Sequence, residues 1–499
     1  MTLRRRTLAQ AAALLALPSL AHDALAQRTK DTLVLGMVLE PSPGLDPTTA
    51  PSAAIGEVVH YNVLEGLTKI TSAGAVQPLL AEDWASDPDG KTYTFKLRTG
   101  VKFQDGSPFN ADAVKFSFDR ARAADSTNKA KKTVFDNISS IATPQPDVVI
   151  LTLNNPDATL PFRLGEGTAV ILSPTSAATT ATRPIGTGPF RLDSWQKGTS
   201  ITLVKWEGFR DAAAIKLRRV TFRFINDNAA QVAALLAGDI DGMPRFGAVQ
   251  NLKQLQADKR FTVEIGSTAG KGILAINNKR KPLDDVRVRR AISHAIDRQA
   301  FIDGVLEGLA KPIGSHAAPT DVGYVDLTGM YPFNPDKARA LLKEAGITAP
   351  LNLTLTLPPP SYARKGGEVV AAMLAKVGIN AKIENVEWAQ WLSGAFKGHF
   401  DLTIIDHVEP LDYVQYANSQ YYWGYDSKVF NDLVKKRAEA GRGRPQQVLY
   451  VEIQRLLAAD AVNAFLFNRS QVSVARRGLK GLWSSSPVFA NDLSQVSWQ

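Results

Sequence analysis

Four acidic or imidazole groups crowd one short stretch of this chain, DLTIIDHVEPLD: Asp406, His407, Glu409 and Asp412. The apolar run Leu402 to Ile405 reads as a buried strand, and Pro410 breaks regular structure after it. Carboxylates and an imidazole at a strand end admit three chemistries: an acid and base, a metal site, or a seat for a cation. Two carboxyls are the minimum set of a glycoside hydrolase, yet carboxylate pairs on one loop are common without catalysis. The chain also lacks His-Glu-x-x-His, Gly-x-Ser-x-Gly and the phosphate loop Gly-x-x-x-x-Gly-Lys-Ser/Thr, so it is not the ATPase of any system it serves. His399, His407 and Asp406 offer metal ligands but form no compact ligand motif. A carboxylate in a closed, dewetted cleft is a strong partner for an ammonium group. Asp406 is therefore read as the anchor for a ligand's positive charge, with Glu409 and His407 beside it. Further on, SQYYWGYDS gathers Tyr421, Tyr422, Trp423 and Tyr425, whose faces could stack on a ligand or fill a core. Tyr422 and Trp423 are the two taken as candidates to line the cleft. No catalytic residue, bound metal or cofactor is expected.

The elements around these residues alternate between strand and helix signals. Tyr93, Phe95 and Leu97 alternate with polar residues, the pattern of a half-buried strand, and Asp105-Gly106 is a turn signal. Asn110 is placed to cap a helix that carries Val114 and Phe118 inward. Val288, Ala291, Ile292, Ala295 and Ile296 lie on one helical face. Asn334 and Pro335 open a helix that Gly346 stops, and Gly238 ends another. The class is α/β. At 499 residues and 44% hydrophobic composition the chain needs at least two lobes. No low-complexity linker separates them, so strands that cross between lobes more than once are expected. With no cysteine, disulfides and thiolate chemistry are excluded. The net charge of +10 is scattered, which argues for a solvated surface and against nucleic-acid binding. Residues 1–26 read as an export signal: Arg4, Arg5 and Arg6, a short apolar stretch, then Ala24-Leu25-Ala26 before the cut. The arginine run makes it twin-arginine-like.

Five ordered stretches carry a family resemblance. AEDWASDPDGKTYTFKLRTGVKFQDGSPFNADAVKFSFDR, GTGPFRLDSWQKGTSITLVKWEGF, INNKRKPLDDVRVRRAISHAIDRQAFI, YPFNPDKARALLKEAG and LAKVGINAKIENVEW resemble the extracytoplasmic solute-binding proteins of family 5. That family includes dipeptide- and oligopeptide-binding proteins. The resemblance implies a two-lobed, type II-like periplasmic-binding-protein fold with an additional domain on the first lobe. It implies a monomeric periplasmic receptor that captures a small peptide or amine-bearing, amino-acid-derived solute and delivers it to an inner-membrane ABC permease with separate ATPase subunits. The implied division is 31–66, 180–265 and 480–499 for the first-lobe core, 67–179 for the extra domain and 266–479 for the second lobe. DHVEP matches the place where relatives hold a peptide's amino group, with Glu409 departing from an aspartate. Arg364, in PSYARKGG, resembles the place where short-peptide binders hold the ligand's carboxylate. Two alternatives stay open: a receptor for an oligosaccharide, opine-like conjugate or metal chelate, and an exported hydrolase.

Overall fold

The computed structural model describes residues 30–50, 52–441 and 443–499, so the export signal expected over residues 1–26 lies outside it. Most strands join one twelve-stranded sheet that is continuous across two lobes. Its first-lobe part runs from Phe190–Gln196 through Ser200–Lys205 and Arg219–Phe224 to Thr32–Met37 and Gly242–Met243. Its second-lobe part runs from Lys271–Ile276 through Leu402–His407 and Leu351–Leu357 to Ile379–Asn385.

One long strand, Ala464–Arg476, belongs to both parts. Its first half pairs with Lys271–Ile276 and its second half with Phe261–Ser267 and Gly242–Met243. The chain also passes between lobes from Ser267 to Lys271 through three residues. The lobes are therefore joined by two adjacent crossings, as the absence of a linker predicts. Adjacent crossings act as one hinge, because rotation about them breaks few ladder hydrogen bonds.

The extra domain is a four-stranded antiparallel sheet, Ala81–Ser86, Thr92–Leu97, Val148–Leu153 and Ile138–Gln145 in that order. The alternation read in the sequence puts Tyr93, Phe95 and Leu97 inside. The helix Ala111–Arg122 covers them, with Asn110 accepting from the Ala113 amide and Val114 and Phe118 buried. The second-lobe core is assembled the same way. Val288, Ala291, Ile292, Ala295 and Ile296 are all buried against the strands, and Asn334 caps Pro335–Glu344 by accepting from Lys337.

Candidate functional site

Strand pairing sets the site. Lys271 pairs with His407, so Leu402–His407 ends at the crossing. Leu351–Leu357 and Ile379–Asn385 run parallel to it and stop on the same side. In the first lobe Thr32–Met37 also points its end toward the crossing, through its parallel pairing with Gly242–Met243. The two sheet ends therefore face each other across a cleft. Large apolar side chains stand exposed near these ends: Leu39 (63% exposed) in the first lobe, Trp388 (42%) and Val408 (40%) in the second.

Successive strand residues point to opposite faces, so Asp406 and His407 part company. The Asp406 side chain is 2% exposed. Its Oδ2 accepts from Arg469 Nε at 2.8 Å, while its Oδ1 is buried with no hydrogen-bond partner. Its backbone amide donates to the Tyr362 hydroxyl at 3.1 Å. Burial pushes the Asp406 carboxyl above the usual carboxylate range, with Arg469 and Lys271 pulling the other way.

His407 turns into the lobe, toward Asp412. The Asp412 carboxylate lies 3.1 Å from His407 Nδ1, 3.0 Å from His316 Nε2 and 2.8 Å from Lys271 Nζ. Because an ionised carboxylate only accepts, both facing ring nitrogens carry the proton. The other two meet tyrosine hydroxyls: His407 Nε2 lies 2.8 Å from the Tyr422 oxygen, and His316 Nδ1, on a ring that burial keeps neutral, accepts from Tyr416 at 3.0 Å. Burial alone would push Asp412 up, but His316, Lys271 and His407 outweigh it and hold the carboxyl well below its usual range. Burial lowers His316 to about 4, against the pull of Asp412. Lys271 also donates to the Glu409 carbonyl at 2.6 Å. This buried hub fixes the loop after the strand to the crossing.

His316, His407 and Asp412 bring potential metal ligand atoms within 4.8 Å of one another. The Lys271 ammonium already compensates Asp412 there, and a divalent ion would meet it as a like charge. The donors are those of a charge-paired hub, in which every polar group has a partner.

The remaining candidates fall elsewhere. Glu409 is exposed and joins the hub only through its carbonyl. Arg364 stands in the first turn of Ser361–Ala375, with Nη2 3.0 Å from Glu387 Oε1 just beyond the end of Ile379–Asn385. Among the described residues no hydrogen bond or ion pair joins it to Asp406. Tyr422 and Trp423 are buried in the second-lobe core, Trp423 stacked on Tyr416 at 4.0 Å, so neither presents a face to the cleft. An aromatic run this dense packs against itself once it adjoins a buried histidine. Lys271, His316 and Arg469 escaped the sequence reading. Lys271 alone left a signal, since a lysine heading the wholly apolar run GILAI must find a counter-charge. A separate cavity of about 300 Å³ lies between the extra domain and the second lobe, walled by Val76, Trp84, Phe162, Asp321, Leu411 and Arg437. Neither Asp406 nor Arg469 lines it.

Two lobes on a double crossing, with a buried acid at the sheet end facing the cleft, define a hinged binding protein. The chain belongs to the bacterial extracellular solute-binding proteins of family 5, whose description matches residues 75–432. It is 29% identical over 465 residues to the dipeptide-binding protein of Escherichia coli K12, covering 85% of this chain and 86% of that one. It is 31% identical over 355 residues to the glutathione-binding protein GsiB of Shigella flexneri, covering 69% and 68%. The periplasmic binding protein DppA from Helicobacter pylori, solved in complex with the peptide STSA, superposes with a TM-score of 0.72 at 26% identity, covering 94% of this chain and 98% of that one. The fold is the type II-like periplasmic-binding-protein fold. No helix among the described residues is long and apolar enough to cross a membrane.

Proposed function

We propose that the chain is the solute receptor of an ABC importer, and that it takes a short peptide or amine-bearing, amino-acid-derived solute between its lobes. In this reading it works in the periplasm as a monomer, without catalysis, and hands the solute to a membrane permease powered by separate ATPase subunits. Residues 31–66, 180–265 and 480–499 are assigned to the first-lobe core, 67–179 to its extra domain and 266–479 to the second lobe, with one amendment: the second half of Ala464–Arg476 pairs with first-lobe strands and Leu479 packs in the first-lobe core, so the first lobe resumes before residue 480. The observation that carries the solute class is Asp406: a buried carboxylate at the sheet end facing the cleft, with one oxygen unpartnered. A buried acceptor without a donor costs about 1–3 kcal/mol, and a solute ammonium would satisfy it where water is excluded. The kinship with dipeptide- and glutathione-binding proteins supports the same class.

Native mass spectrometry of the purified protein, followed by denaturation and identification of what is released, tests this. The expected mass is that of a short peptide or amino-acid conjugate. Titration of that solute into Asp406→Asn is expected to lose about 30-fold or more in affinity, as for a truncated buried charge pair, with the melting curve still cooperative. A released sugar or metal chelate, or undiminished binding by the variant, would overturn the reading.

A further inference from the structure

The extra domain and the second lobe touch backbone to backbone in two places. A Cβ on Gly74 would lie 1.8 Å from the Thr320 carbonyl, and a Cβ on Gly90 would lie 2.5 Å from the Ala438 carbonyl. Thr320 precedes Asp321 and Ala438 follows Arg437, and both of these charged neighbours line the cavity of about 300 Å³ between the two surfaces. The contacts that close the seam therefore also hold one acid and one cation on the wall of the void it leaves.

These opposite charges do not pair with each other. Tyr450 keeps them apart: its hydroxyl donates to Asp321 Oδ2 at 2.7 Å, and the Arg437 guanidinium carbon lies 4.8 Å from the centre of its ring. Asp321 Oδ2 also accepts from the Ala318 amide at 3.0 Å, while Oδ1 makes no hydrogen bond to any described residue. Arg437 donates from Nε to the Gln446 carbonyl at 3.3 Å and from Nη1 to the Tyr413 hydroxyl, while Nη2 makes no hydrogen bond to any described residue. Neither spare atom is sealed inside protein. Burial pushes the Asp321 carboxyl above the usual carboxylate range, with Lys271 and Tyr450 opposing, as for an acid without a full counter-charge.

Much of the remaining wall is apolar, with Val76, Trp84 and Phe162 on the extra domain and Leu411 on the second lobe. The void has room for several waters, but such a wall gives them few partners. Its volume falls at the small end of ligand pockets. A simple cation would meet Arg437 as a like charge, and a simple anion would meet Asp321. A small zwitterion with an apolar body suits both charges and the wall. We propose that this void is a second ligand site that takes an apolar α-amino acid, its carboxylate on Arg437 Nη2, its ammonium on Asp321 Oδ1 and its side chain against Trp84, Phe162 and Leu411. The site is separate from the cleft between the sheet ends and stands independently of the receptor reading.

Calorimetric titration of L-leucine, L-methionine and L-phenylalanine tests it. Wild type is expected to bind at least one of them, and Asp406→Asn, which lacks the cleft anchor, is expected to bind that amino acid as tightly as wild type does. Asp321→Asn keeps an acceptor for Tyr450 and the Ala318 amide but removes the charge, and is expected to lose about 30-fold or more in affinity. Ala158→Leu fills part of the void without touching either charge and is expected to lose as much. The amide and the deaminated acid of the same amino acid, each missing one charge, are expected to bind wild type about 30-fold or more weakly. Melting curves check folding, and if Asp321→Asn does not fold, Ala158→Leu and the two analogues carry the test. Absence of binding by all three amino acids, binding that disappears in Asp406→Asn, binding kept by folded Asp321→Asn or by Ala158→Leu, or an analogue that binds as well as the amino acid overturns the site. Each of these outcomes leaves the receptor reading to its own test, because Asp406 does not line the void.

Discussion

Two buried groups of opposite character dominate at the scale of the residue. Asp412 is satisfied on every side, by Lys271, His316 and His407. Asp412→Asn keeps its shape but strands the Lys271 charge in the core, so unfolding stability should drop by about 3–5 kcal/mol. Lys271→Met should do comparable damage, and the double variant should cost less than the two together, which a double-mutant cycle in denaturant measures. His60 is the reverse. It is fully buried, stacked on Tyr61 at 3.8 Å, and neither ring nitrogen has a hydrogen-bond partner. Burial lowers it to about 3, with the Phe489 carbonyl and Asp492 opposing weakly. A base whose folded value is depressed stays neutral in the native state while the unfolded chain takes up the proton. Stability is therefore lost as pH falls below about 6.5, at up to about 1.4 kcal/mol per pH unit. His60→Leu should remove that share: melting temperatures of variant and wild type should diverge in the variant's favour between pH 7 and pH 5. A difference that stays constant over that range would refute it. At this scale the sequence was half legible. DHVEP marked the strand end and its acid, but the Asp406 partner is 63 residues away on another strand, and only the pairing of both with Lys271–Ile276 brings them together.

Elements were the most legible scale, because caps and periodicity are local. Asn110, Asn334 and the left-handed Gly238 stand where their helices begin or end. Local rules could not show that the run KRKPLDDVRVRR hides a buried arginine: Arg289 donates to the carbonyls of Leu283, Asp284, Asp460 and Ala461. Nor could they reveal that Ala464–Arg476 serves two lobes, since the polar stretch Asn468–Gln471 between two apolar runs reads locally as a break between separate strands. Gly272 shows what the junction demands. It pairs with both Asp406 and Phe467, and a Cβ added there would come within 2.3 Å of the Phe467 ring. Gly272→Ala should therefore cost about 1–3 kcal/mol by overpacking, and it should weaken solute binding because Gly272 pairs directly with Asp406, the proposed anchor. Asn334→Ala, a cap remote from the junction, should cost about 1 kcal/mol and leave affinity unchanged. Parallel denaturation and calorimetry on the two variants separates stability from binding. Equal affinity losses would detach the junction from the site.

For the whole molecule the question is what sets the angle between lobes, since two short crossings leave it soft. Contacts away from the hinge must then hold the arrangement. The extra domain supplies one at Gly74, where an added Cβ would lie 1.8 Å from the Thr320 carbonyl of the second lobe. Its φ of +78° also disfavours a branched side chain. A second lies at Leu411, which packs into the cluster of Tyr61, Phe162 and Val488. Tyr61 and Leu411 are both left-handed, at φ 66° and 52°. Backbone strain of about 1–3 kcal/mol each survives only where surrounding packing enforces it, so this contact is under load from both sides. Removing one such contact should change the angle without unfolding a lobe, because neither Gly74 nor Thr320 belongs to a lobe's hydrophobic core. Gly74→Val is accordingly expected to leave the circular dichroism spectrum unchanged, to enlarge the radius of gyration of the solute-free protein in X-ray scattering, and to leave the radius with saturating solute close to that of wild type, since the solute then ties the sheet ends together. A variant whose solute-free radius equals that of wild type would show that the hinge strands alone set the angle, and that the extra domain merely rests against the second lobe.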